Sequence, residues 1–160
     1  VAGIGMAAGA GAVIALASDL RVVAEEAKFA FLFTRVGLTG ADMGAAFLLP
    51  RVVGQGRAME LLLLGDDVDA HTAERYGLAN WVVPRDQLLP KAYEIARRLA
   101  QGPTFALGMT KLMVNNEWTM DLIAALEAEA QAQALMMMGE DHRAFYEAFT
   151  QKRKPAFKGH

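Results

Sequence analysis

Apolar residues run in short blocks along the first half of the chain, and glycines and prolines set the length of each block. Val1–Gly5 is apolar up to its glycine and predicts the end of a buried strand. Gly9-Ala10-Gly11 precedes the helix-like stretch Ala12–Ser18, so it predicts a tight turn that opens a helix. Arg21–Ala24 and Lys28–Phe33 are short and rich in valine and phenylalanine, which predicts two strands. Gly37–Met43 predicts a loop, followed by a helix opening at Met43 and running to about Val53. A break at Gly54-Gln55-Gly56 separates it from a helix over Arg57–Leu64 that Gly65 ends. Asp69 stands where it would N-cap a helix stopping at Gly77. Ala79–Val83 predicts a strand closed by Pro84.

Beyond Pro84 only the helical period remains. Gln87–Gln101, Thr104–Asn115, Thr119–Met138 and Asp141–Lys152 each predict a helix, punctuated by Gly102-Pro103, Asn115-Asn116 and Gly139. Strands alternating with helices, then helices alone, predict an α/β chain with a strand-containing part over 1–84 and a helical part over 85–160. The stretch Thr119–Met138 has a broad apolar face ending in Met136–Met138. A methionine stripe of this kind is core or subunit contact, and here it predicts an oligomer surface.

Composition narrows the class. The chain has 160 residues, 54% hydrophobic and 21% charged, which suits one folded domain and excludes disorder. Its net charge of −2 gives no basic surplus for nucleic acid or an anionic membrane. The lack of cysteine excludes disulfides, thiolate metal sites and a cysteine nucleophile, and fits a reducing cytoplasm. Val1 to Ser18 is uncharged, but its glycines break a spanning helix and no basic start marks a signal peptide. The apolar start without methionine reads like the middle of a domain, so an upstream part of the subunit is expected to be missing.

Candidate chemistry begins at Gly9-Ala10-Gly11. Small residues at a strand-to-helix turn let a ligand approach the backbone, and free first-turn N–H groups favour negative charge. That suits the oxygen of a thioester passing through an enolate, although tight packing is the commoner reason for such a turn. Glu25 and Glu26 read as solvated charge, and Asp19 with Arg21 as a structural pair or cap. His71, His142 and His160 are scattered, so no metal is expected. Ser18 is the only serine and has no histidine near it in sequence, so a serine hydrolase is not expected.

The strings "GIGMAAGAGAVIALASDLRVVAEEAKFAF", "VGLTGADMGAAFLLPRVVGQGRAMELLLLGDDVDAHTAERYGLANWVVP" and "AFTQKRKPAFKG" together resemble the crotonase, or enoyl-CoA hydratase/isomerase, superfamily. The resemblance covers nearly the whole chain and matches the C-terminal part of such a subunit. It implies a β-β-α spiral, partial here, followed by a C-terminal helical region that forms trimers, often paired into hexamers. It further implies acyl-CoA thioester substrates, enolate stabilisation by two backbone N–H groups, and no cofactor apart from the coenzyme A of the substrate. Ala10 would supply one N–H, flanked by Gly9 and Gly11 at the substrate, and the other would lie upstream.

Two positions depart from the family pattern. Hydratases place one glutamate where this chain has Val13 and a second where it has Phe33. Neither side chain moves a proton, so the resemblance does not extend to two-glutamate hydration; Phe33 becomes a pocket wall with Phe31, Leu32 and Phe47. Asp42, eight residues before Pro50, matches an aspartate that dienoyl-CoA isomerases use for proton transfer and 4-chlorobenzoyl-CoA dehalogenases use as a nucleophile, with the preceding loop one residue longer here. From the residues alone Asp42 reads equally as the N-cap of the helix opening at Met43. In the tail, Phe149 and Lys152 match an aromatic and a lysine that reach coenzyme A in the family, while the run Lys152, Arg153, Lys154 and Lys158 also reads as a solvated terminus. The expectation is therefore an acyl-CoA enzyme using Ala10 and Asp42. Its alternatives are a dehalogenase- or hydrolase-type enzyme with Asp42 as nucleophile, and a non-catalytic acyl-CoA-binding or assembly subunit.

Overall fold

A computed structural model describes residues 1–160. They form two compact units, Val1–Glu94 and Ile95–His160.

The first unit is built from paired short strands. Ala2–Gly3 (β1) and Met6–Ala8 (β2) are separated by Ile4 and Gly5, and they enter different sheets. Val22–Ala24 (β3) and Lys28–Ala30 (β4) repeat that step, pairing parallel with β1 and β2 respectively. Val68–Asp69 (β5) adds antiparallel to β4, and Trp81–Val83 (β6) adds parallel to β3. The β1–β2 and β3–β4 segments thus each lay one strand in each of two three-stranded sheets before a helix follows, whereas α4 separates β5 from β6. Parallel pairing requires crossover connections, and the helix Ala10–Leu16 (α1) is the first of them. This α/β arrangement is the fold class expected from the strand-then-helix pattern.

Ala45–Val53 (α2) and Gln55–Leu64 (α3) pack against each other, and α1 packs against α2. The predicted break at Gly54 is a single residue at φ +80 that links two helices directly. Ala70–Arg75 (α4) starts as predicted, with the Asp69 carboxylate accepting from the Thr72 N–H at 2.7 Å. Phe31, Leu49 and Leu78 are fully buried at the centre of the core, each worth about 2–3 kcal/mol of removed apolar surface. β4 ends at Ala30, so Phe31–Phe33 is a non-strand segment rather than the strand end predicted.

Leu88–Ala100 (α5) carries the chain onward. The second unit contains Thr104–Asn116 (α6), Leu122–Met137 (α7) and Glu140–Thr150 (α8), followed by a tail to His160. α7 begins at Leu122, three residues later than predicted, after the Asp121 N-cap, whose carboxylate accepts from the Ala124 N–H at 2.9 Å. α6 and α7 contain no buried residue, and Leu122, Ile123 and Met138 are all more than 70% exposed. No helix is long and apolar enough to cross a membrane.

Candidate active site

The glycine turn is fixed by backbone bonds on both sides. The Gly9 N–H donates to the Ala30 carbonyl at the end of β4 (2.9 Å), and the Gly9 carbonyl accepts from the Val13 N–H (3.2 Å). Gly9 has φ +51 and ψ −119, a conformation that a side chain would strain. The N–H groups of Ala10, Gly11 and Ala12 then have no backbone acceptor. Ala12 is buried, whereas Ala10 and Gly11 face open space, and no acidic residue occupies the first turn. The result is an exposed pair of amide donors at an uncompensated positive helix end.

The two positions that lack glutamate surround this turn with apolar surface. Val13 is 3% exposed and Phe33 7%. The Phe33 ring lies over Gly9, where an added Cβ would stand 3.8 Å from Cε1. Phe31, expected as a pocket wall, is completely buried and presents no surface to a ligand, because it fills the centre of the core. Phe47 is exposed on α2 with the Arg51 guanidinium 3.5 Å above its ring.

Asp42 sits in the loop between Phe33 and α2. That loop is tied to α3 at one point. The Thr34 hydroxyl donates to the Leu62 carbonyl at 3.3 Å, in the last turn of α3, and Gly40 packs on the same carbonyl so closely that a Cβ would lie 2.7 Å from it. Asp42 is not the helix cap. The helix begins at Ala45, its N-cap is Gly44, and no side chain caps it. The Asp42 carbonyl accepts from the Ala45 N–H at 2.8 Å, while its carboxylate is exposed and has no hydrogen bond or ion pair within the chain.

The reason lies in the next residue. Met43 has φ +49 and Gly44 φ +92, so two left-handed residues intervene where a helix start was expected. A left-handed methionine costs about 1–2 kcal/mol. Only one other non-glycine residue has positive φ, and it is Lys152, at +52. The two left-handed side-chain-bearing positions thus fall beside Asp42 and on Lys152. Nothing in the sequence marks Met43.

In the second unit, Lys152 terminates α8. Its N–H donates to the Phe149 carbonyl (3.1 Å) and the Arg153 N–H to the Ala148 carbonyl (2.9 Å), the paired bonds of a Schellman end whose left-handed position is ordinarily glycine. Phe149 is 70% exposed and stacks on Phe145 at 6.0 Å between centroids. The ammonium groups of Lys152 and Lys154 have no partner in the chain, whereas Lys158 pairs with Glu140 at 3.0 Å.

A family model described as enoyl-CoA hydratase/isomerase matches residues 1–160. The chain is 42% identical over 155 residues to 1,2-epoxyphenylacetyl-CoA isomerase of Escherichia coli (strain K12), covering 97% of this chain and 59% of that protein. It is 34% identical over 155 residues to the mitochondrial Delta(3,5)-Delta(2,4)-dienoyl-CoA isomerase of Dictyostelium discoideum, covering 96% and 53%. A crystal structure of a Streptomyces coelicolor A3(2) protein described as an enoyl-CoA hydratase superposes with a TM-score of 0.95 at 54% identity, covering 98% of this chain and 57% of that one. The chain thus spans between half and three-fifths of the length of these relatives.

Proposed function

The chain belongs to the enoyl-CoA hydratase/isomerase family, and from that premise we propose that the protein isomerises an acyl-CoA thioester through an enolate. The observation that carries this reading is the exposed Ala10 amide beside apolar Val13 and Phe33, with Asp42 an exposed, unpaired carboxylate in the loop that follows Phe33. The Ala10 N–H donates to the thioester oxygen as negative charge develops there, and a second backbone donor comes from the part of the family fold outside these residues. Asp42 takes a proton from the acyl chain and returns it at another carbon. One carboxylate suffices for such a transfer, whereas hydration also needs a group to orient water, and Val13 and Phe33 offer none. The relative named for isomerisation of an epoxyphenylacetyl-CoA supports the same choice.

Gly9 and Gly11 give the thioester its approach to the backbone, and Phe33 walls the acyl chain. Phe149 and Lys152 contact the nucleotide end of coenzyme A. The reaction uses no separate cofactor. The bare apolar faces of α6 and α7 support a homotrimer, or a hexamer of two trimers, and the cysteine-free sequence fits work in the cytoplasm.

The test is exchange of the acyl α-proton of butyryl-CoA in deuterated water, followed by NMR. Asp42→Asn keeps the fold and slows exchange at least ~100-fold, the scale of a lost general base. Equal rates would remove Asp42 from the mechanism. Tight binding with no exchange in the wild type would make the protein a binding subunit.

A further inference from the structure

The tail doubles back on the helix it leaves. Asp141, in the first turn of α8, accepts the Lys158 N–H at 2.6 Å through one carboxylate oxygen and the Gly159 N–H at 2.9 Å through the other. Its own N–H donates to the His160 carbonyl at 3.1 Å. The neighbouring Glu140 carboxylate pairs with the Lys158 ammonium at 3.0 Å and stands 3.6 Å from His160 Nε2. Gly159 has φ +86 and lies against the Thr104 hydroxyl with no room for a side chain. The last residues of the chain are therefore registered against the N-terminal end of α8, not splayed into solvent.

The geometry leaves little slack. α8 has 11 residues, about 16 Å of helix. The return from Lys152 to Lys158 is six residues, at most about 20 Å when extended. The basic turn is thus held at both ends: by the Schellman bonds on the helix side and by Asp141 on the tail side. A left-handed lysine persists only where its surroundings over-determine it. The Schellman bonds form one constraint, and the pinned tail forms the second.

We infer that Asp141 is a positioning residue for the coenzyme A contact: by pinning Lys158 and Gly159 it holds Lys152 left-handed and fixes the unpaired ammonium groups of Lys152 and Lys154 in place. This rests on the reading above that the tail meets the nucleotide end of coenzyme A. Asp141 itself touches no substrate in this scheme.

The experiment compares two probes by titration calorimetry on the intact protein: butyryl-CoA, and butyryl-pantetheine, which carries the same thioester without the nucleotide. Asp141→Asn keeps one acceptor oxygen and loses the other. It weakens butyryl-CoA about fivefold, the scale of one charge-assisted contact, leaves butyryl-pantetheine unchanged, and strips exchange protection from the Lys158 and Gly159 amides. Gly159→Ala breaks the same clamp without altering α8 and gives the same selective loss. The double variant Asp141→Asn with Lys152→Ala binds butyryl-CoA no more weakly than Lys152→Ala alone, as expected when one residue acts through the other. Wild-type affinity in both clamp variants, or equal weakening of both probes, overturns the inference while the tail contact stands. Unchanged butyryl-CoA affinity in Lys152→Ala overturns the tail contact itself, and the inference falls with it.

Discussion

The Arg21 guanidinium donates its Nε–H to the carbonyl of Leu78, 57 residues further along the chain. Its other donors reach the Leu16 carbonyl at 3.2 Å and the Ser18 carbonyl, both at the C-terminal end of α1. The Arg21 N–H meets the Asn80 side-chain oxygen at 2.7 Å, and its carbonyl accepts from the Asn80 N–H at 2.9 Å. One residue, 5% exposed, thereby joins the end of α1, the entry to β3 and the approach to β6. Burial pushes its pKa down and the Asp19 charge partly restores it. The charge also suits the negative end of the helix.

Replacing Arg21 by methionine fills the same space and leaves three carbonyls without their donor. An unsatisfied buried acceptor costs about 1–3 kcal/mol, and water reaches some of the three, so the expected loss is about 3 kcal/mol in urea unfolding. Arg21→Lys recovers only part, because one ammonium cannot span carbonyls on both sides. Wild-type stability in Arg21→Met would show that the contacts contribute no net energy.

What the residues announced and what they concealed follows one rule: local devices were legible and distant ones were not. Asp69 capping α4 needs only the three residues after it. The Gly9 turn needs only its small neighbours, and its place before α1 was legible for that reason. Arg21 was legible as a structural residue, but Leu78 and Asn80 lie too far along the chain for spacing to name them. β2 went unpredicted because Gly5 reads as a terminator, whereas it is the step between two sheets. Asp42 looked like a cap because nothing in methionine foretells a positive φ at the next position.

Gly40→Ala tests whether the Asp42 loop works by its fixed seat on α3. The new Cβ would stand 2.7 Å from a backbone oxygen, so the loop or the end of α3 must shift. Overpacking of this kind costs about 1–3 kcal/mol. Because Asp42 lies two residues on, turnover on acyl-CoA falls more than stability alone explains, even at temperatures where the variant is fully folded. Unchanged turnover in the folded variant would uncouple the seat from the chemistry.

Asp69 sets an acid limit. The hydrogen bonds from the Thr72 backbone and then its side chain hold the carboxyl below its ordinary value, with Arg75 and His71 adding to the effect. A group whose folded pKa is depressed stabilises fully above the unfolded value, about 3.9, and that contribution is lost as pH falls through the lower folded value. Asn caps a helix as well as Asp at neutral pH but does not titrate. Asp69→Asn therefore matches the wild type near pH 7 and shows a flatter acid limb below about pH 4, read by circular dichroism. Parallel limbs in the two proteins would assign the acid sensitivity to other carboxylates.

Lys152→Gly separates stability from binding. The left-handed position after α8 asks for glycine, and lysine there keeps the strain of φ +52. Glycine relieves about 1–2 kcal/mol of that strain, and gives back part of it through its greater freedom in the unfolded chain. The net expectation is a second unit more stable by about 1 kcal/mol that binds butyryl-CoA more weakly, with butyryl-pantetheine unaffected. Lys152→Ala is the control: it keeps the left-handed strain, loses the same ammonium, and weakens butyryl-CoA without any gain in stability. A glycine variant that gains stability and keeps full affinity would mean that the strained lysine serves no ligand. A glycine variant that gains no stability would mean that the tail return, not the side chain, dictates the turn.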